Sequence, residues 1–175
     1  MNNNATHSQS HIAAHNKITS NARILIVDDD DIIRGLHEAV LSFNGYGTQS
    51  AADGEEALVL LATGDFDLII TDCNMPRLDG IGLIRALRAA GSRIPIMMVS
   101  GSLANDGELP ADVRDEVVVA LPKPAKTRDI LAGVAHALRP QSATPHLARI
   151  GDVFTEHTAS PDRARIADIF AVAAA

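Results

Sequence analysis

The chain has 175 residues, enough for one domain with tails, and 46% of them are hydrophobic while 3% are aromatic, so any core is aliphatic. A formal charge of −7 with no Lys/Arg cluster argues against nucleic acid as a direct partner, and the single cysteine, Cys73, excludes an internal disulfide and fits a reducing compartment. No apolar stretch reaches ~18 residues and the polar start, Met1 to Ser20, lacks the apolar run of a signal peptide, so no membrane insertion and a cytoplasmic location are expected.

Residues 1–21 are rich in Asn, Ser, Thr and His without periodicity and read as a disordered arm. A strand run over Ile24 to Val27 is followed by a helical pattern in which Ile33, Leu36, Val40 and Phe43 recur at three and four, ended by Asn44-Gly45. Gly47 to Ala51 is a short, polar strand suited to a sheet edge. Asp53-Gly54-Glu55-Glu56 is a capping-box signature for a second helix containing Ala57, Leu58 and Leu61, which Gly64 stops. Asp67 introduces a third strand, Leu68 to Thr71. Ile81, Leu83, Ile84 and Leu87 then mark a third helix closed by Gly91. Pro95 precedes a fourth strand, Ile96 to Val99, and a fifth runs from Val117 to Leu121. Ile130, Leu131, Val134 and Leu138 give a last helix, stopped at Pro140.

Five strands alternating with helices predict an α/β domain over residues 22–139 with a doubly wound five-stranded parallel sheet, because parallel neighbours need helical crossovers. One crossover is defective. Gly107 and Pro110 fall inside what should be the fourth helix, where proline alone costs ~3 kcal/mol, so a short or broken helix and local mobility are expected. Residues 140–175 read as a C-terminal tail with one or two short helices. Ser160-Pro161 is a helix-start signal, followed by Ile166, Ile169 and Phe170 at helical spacing, and Leu147, Ile150, Val153 and Phe154 suggest another short amphipathic piece.

The chemistry collects where the strand runs end. Asp28 and Asp29 follow the first, Asp72 the third, Ser100 the fourth and Lys123 the fifth. Ligand sites of open parallel sheets form at the carboxyl ends of strands. An Asp at such a place also caps the next helix, but Asp30 or Asp31 suffices for that. Three carboxylates there repel one another and call for a divalent cation, for which Mg2+ is the natural choice of hard oxygen ligands. Asp72 is the candidate nucleophile, since a carboxylate can take a phosphoryl group as an acyl phosphate. Asn74 offers a backbone carbonyl to the cation, Ser100 a hydroxyl to a phosphoryl oxygen, and Lys123 an ammonium that neutralises charge during in-line transfer.

Four ordered segments, Ile24-Leu-Ile-Val-Asp-Asp29, Ile69-Ile-Thr-Asp-Cys-Asn-Met-Pro-Arg-Leu-Asp-Gly80, Met98-Val-Ser-Gly101 and Lys123-Pro124, resemble the receiver domain of two-component response regulators, single-domain chemotaxis-like type. The resemblance spans about residues 22 to 139 and implies the flavodoxin-like strand order 2-1-3-4-5. It also implies that Asp72 accepts phosphoryl from a phosphohistidine on a sensor histidine kinase or histidine phosphotransfer protein. By position, Asp28, Asp29, Asp72 and the Asn74 carbonyl would hold Mg2+, Ser100 would be the switch hydroxyl, Lys123 the oxyanion partner, and the Lys123-Pro124 bond cis. Many relatives of this kind carry Tyr or Phe three residues before the lysine, where this chain has Ala120, so aromatic-coupled switching is not expected.

Residues 141–175 are few for a DNA-binding module and carry no basic stripe, which makes a stand-alone receiver signalling or relaying through contacts with a downstream protein the expected reading. Such a protein is no conventional enzyme, although it catalyses its own Mg2+-dependent phosphorylation and dephosphorylation. Two alternatives belong to other classes. A haloacid-dehalogenase-type phosphatase would use the Asp28-x-Asp30 spacing with Asp28 as nucleophile and leave Asp72 unexplained. A pseudo-receiver would bind partners without phosphorylation and has no use for the intact acidic triad and Lys123.

Overall fold

Residues Ile24 to Val27 are apolar at every position, so this strand needs cover on both faces, and the rest of the chain supplies it. A computed structural model describes residues 22–105 and 109–139, which leaves the expected N-terminal arm, the C-terminal tail and Gly107 outside the described residues. The elements alternate: β1 (Arg23–Val27), α1 (Asp31–Phe43), β2 (Gly47–Ala51), α2 (Gly54–Thr63), β3 (Leu68–Thr71), α3 (Gly80–Ala89), β4 (Ile96–Ser100), α4 (Ala111–Arg114), β5 (Val119–Pro122) and α5 (Thr127–Ala137), with a 3-10 turn over Gly101–Asn105 before α4. All strand pairs are parallel and their order is β2-β1-β3-β4-β5, the flavodoxin-like arrangement expected from the motifs. Val27 pairs with Thr71, Thr71 with Met98 and Ser100 with Pro122, so the strand ends lie level along one edge.

Alternation along the strands divides the core in two. Leu25, Val27, Ile69 and Met98 face α2 and α3, where Leu58, Leu61, Leu83, Ile84 and Leu87 are buried against them. Ile24, Ile26, Leu68, Ile70, Met97 and Val99 face the opposite way, onto Leu41 of α1 and Ile130, Val134 and Ala137 of α5. As the polar β2 sequence anticipates, that strand lies at one edge.

The expected apolar stripe of α1 is corrected. The helix forms over the anticipated residues, but it buries His37 and Leu41, while Leu36 and Phe43 are 53% and 92% exposed and Ile33 and Val40 are half-buried. Apolar residues occur around most of this helix, so their spacing gives the period without the phase, and the docked face is turned by roughly a quarter turn. The fifth strand is also shorter than read. Glu116 and Val117 still donate to the carbonyls of Val113 and Arg114, and pairing with β4 starts when the Val118 N–H reaches the Ile96 carbonyl. The fourth helix is short, as the Gly107 and Pro110 pattern requires. It has four residues, Pro110 stands where a capping side chain would, and only Val113 is buried.

Candidate functional site

Each site residue is fixed by the strand before it. The Asp28 N–H donates to the Ala51 carbonyl and the Asp72 N–H to the Val27 carbonyl, continuing the β1 ladders past the strand ends. The Lys123 N–H donates to the Ser100 carbonyl in the same way. Asp30 then takes over as the cap of α1, its Oδ1 accepting from the N–H groups of Ile32 and Ile33. This leaves Asp28 and Asp29 free of capping duty, and it also occupies the acid that the phosphatase spacing would need.

The result is an acidic cup. Carboxylate oxygens of Asp28, Asp29 and Asp72 all lie within 4.8 Å of one another. Asp28 and Asp72 are buried and Asp29 is exposed, so the cup opens to solvent on one side. The Lys123 ammonium enters from the far edge of the sheet and donates to Asp28 Oδ2 at 2.7 Å and to Asp72 Oδ2 at 2.5 Å. The Lys123–Pro124 peptide is cis. The other oxygen of Asp72 accepts from the Cys73 N–H at 2.5 Å and the Asn74 N–H at 3.3 Å. Ser100, fully buried, shares a hydrogen bond with Ser102 at 3.2 Å.

Burial alone would raise the Asp72 carboxyl, but hydrogen bonds from Lys123, Ser100 and the Asn74 N–H hold it below the ordinary carboxylate value. Lys123 moves the other way. Burial disfavours its charge, and Asp28 and Asp72 more than offset that, so it stays protonated above the ordinary lysine value. At neutral pH the Asp72 carboxylate is therefore ionised and the Lys123 ammonium charged.

The donor set fits a magnesium ion. Three carboxylates against one ammonium leave two negative charges uncompensated at the mouth of the sheet, and the ligands are hard oxygens with one side open for water and a phosphoryl oxygen. Asp28, Asp29 and Asp72 are brought together. Asn74 is adjacent, with its side chain exposed.

Sequence reasoning missed several supporting residues. A Cβ on Gly80 would lie 2.0 Å from the Asp72 carbonyl oxygen, so the start of α3 closes on the Asp72 backbone as only glycine permits. Arg77 has φ 60, a left-handed backbone uncommon for arginine, and its guanidinium pairs with the buried Asp53 at the start of α2, tying down the loop after β3. Arg34 donates from Nη1 to the Asp28 carbonyl at 2.7 Å. His37, on the inner face of α1, is kept neutral chiefly by burial, which Lys123 reinforces and Asp28 opposes. A helical pattern containing polar side chains gives no signal for such inward contacts; only the unusually apolar outer face of α1 hinted that the inner one was otherwise engaged.

Comparison with known proteins bears on this geometry. The family model described as response regulator receiver domain matches residues 24–135. The response regulator MprA of Mycolicibacterium vanbaalenii is 40% identical over 119 residues, which cover 67% of this chain and 50% of that protein. The chain thus spans about half the length of the curated relatives it matches. Among solved structures, the chemotaxis protein CheY4 of Vibrio cholerae is 31% identical with a TM-score of 0.58, over 67% of this chain and 98% of that one. A sensor protein from Polaromonas is 30% identical with a TM-score of 0.62, over 67% and 95%.

Proposed function

The chain belongs to the response regulator receiver domain family, and from that membership we propose that Asp72 takes a phosphoryl group from a phosphohistidine of a sensor histidine kinase or histidine phosphotransfer protein. One observation carries the reading: the ammonium of Lys123 bridges Asp28 and Asp72, residues 95 and 51 positions away in sequence, at the only edge of the sheet where three carboxylates meet among the described residues.

In this reading the ionised Asp72 carboxylate attacks phosphorus, the new P–O bond makes an acyl phosphate, and the bond from phosphorus to the donor's imidazole nitrogen breaks. No proton has to leave Asp72, because the hydrogen bonds around it already keep it ionised. Lys123 is charged before the reaction begins and neutralises the negative charge that accumulates on the phosphoryl oxygens. The Ser100 hydroxyl, held at the end of β4, turns from Ser102 to a phosphoryl oxygen. Asp28, Asp29, Asp72 and the Asn74 carbonyl would hold Mg2+, which when bound supplies charge neutralisation and in-line alignment. Gly101, next to Ser100, leaves open space for the donor, since a Cβ on it would meet nothing within 4 Å.

The protein acts, on this reading, as a cytoplasmic receiver that signals or relays through protein contacts, and the charge of −7 favours protein over nucleic acid as the partner of this domain. No helix among the described residues is long and apolar enough to cross a membrane. The test is labelling by radioactive acetyl phosphate with Mg2+, followed by phosphopeptide mapping. Wild type is expected to carry base-labile label on Asp72, and Asp72→Ala or chelation of the metal is expected to abolish it. Label that persists in Asp72→Ala, or maps to Asp28, would refute the assignment.

A further inference from the structure

Among the described residues four large apolar side chains remain exposed, and three of them, Ile32 (81%), Leu36 (53%) and Phe43 (92%), lie on α1. With the exposed Ala39 they are spaced four, three and four apart and form one stripe along the whole outer face of the helix. Beside the stripe, Gly35 leaves a notch in which a methyl group would meet nothing within 4 Å, room for another backbone to approach. Nothing in the described part of the molecule covers this stripe, and scattered single apolar residues do not make such a continuous one.

We propose that the stripe is the docking site of the chain's own segment 161–173. The segment's sequence matches it: Ile166, Ile169, Phe170 and Ala173 recur at three, one and three, a narrow apolar face, after the helix-start signal Ser160-Pro161. Its position matches too. The tail continues from α5, and α5 shares a core cluster with α1, so the described chain ends in the same layer that carries the stripe. The connection from Arg139 to Pro161 spans at most ~3.3 Å per residue, several times the ~20 Å length of a 13-residue helix, so reach is no obstacle.

A second copy of the chain is the weaker occupant. One face of a 13-residue helix offers well under the ~800 Å² per partner of a stable interface, whereas a tethered segment docks at a high effective concentration and needs far less area.

Two reciprocal measurements on the full-length chain test this. In Leu36→Asp/Phe43→Asp, tryptic cleavage after Arg163 and Arg165 is expected to run about tenfold faster than in wild type, because an undocked segment is open to the protease. In Ile169→Asp/Phe170→Asp, amide exchange across α1 is expected to rise at least about threefold. Both substitutions fall on solvent-exposed or tail positions, and unchanged labelling of Asp72 by acetyl phosphate serves as the control for folding. Both effects appearing at any protein concentration supports the proposal. Unchanged cleavage or unchanged exchange overturns it, and so does protection that grows with protein concentration, which would assign the stripe to a second copy.

Discussion

The crossovers built on α3 and α4 leave neighbouring strands of the same sheet, yet they are held in different ways. The first has ten residues, an Asp79 cap whose Oδ1 accepts from the Gly82 N–H at 2.7 Å, and Leu83, Ile84 and Leu87 buried beneath it. The second has one turn, no capping side chain and a single buried residue, Val113. Arg85 of α3 pairs with Asp112 of α4 and Arg88 with Glu116 just beyond it, while Val113 alone anchors α4 in the core. The acidic cup sits on the α3 side. The better-packed crossover is therefore the one that follows Asp72, and the sparser one the one that follows Ser100.

The largest break in that contrast is expected at Gly80. A methyl at 2.0 Å from the Asp72 carbonyl must displace the backbone, so Gly80→Ala should lower stability by about 3 kcal/mol, read by denaturant unfolding, and cut labelling with it. Asp79→Ala, which removes only the cap, should cost ~1 kcal/mol and leave labelling largely intact. Acid should act next. Asp72 has a lowered folded value, so its contribution is complete above the ordinary carboxylate range and is lost as pH falls through that lower value; Lys123, raised, keeps its contribution until strongly alkaline pH. Melting temperature in metal-free buffer should accordingly be flat, as far as this pair decides it, from about pH 5 to 9 and fall below. A decline already complete at neutral pH would show that the pair is not formed. The smallest effect belongs to α4: Asp112→Ala breaks an exposed ion pair and should leave the melting temperature unmoved.

Much of this was legible before any coordinates. Strands buried on both faces announce themselves as unbroken apolar runs, and Asp28, Asp72, Ser100 and Lys123 follow or close such runs, so their meeting at one edge of the sheet could be expected from topology. The one-turn α4 was equally visible in Gly107 and Pro110. What remained hidden depends on contacts between distant backbones. Nothing in the text around Gly80 shows that Asp72's carbonyl lies against it, and an arginine at position 77 argues against the left-handed backbone it adopts. The inner face of α1 was misjudged because its most apolar arc points outward, a choice governed by what else that helix touches.

The ammonium that balances the cup arrives on the last strand to be made. A ribosome making this chain delivers Asp28, Asp29 and Asp72 well before residue 123, so synthesis supplies the three acids before their ammonium partner. A chain that stops short of Lys123 would lack the counter-charge that joins Asp28 to Asp72.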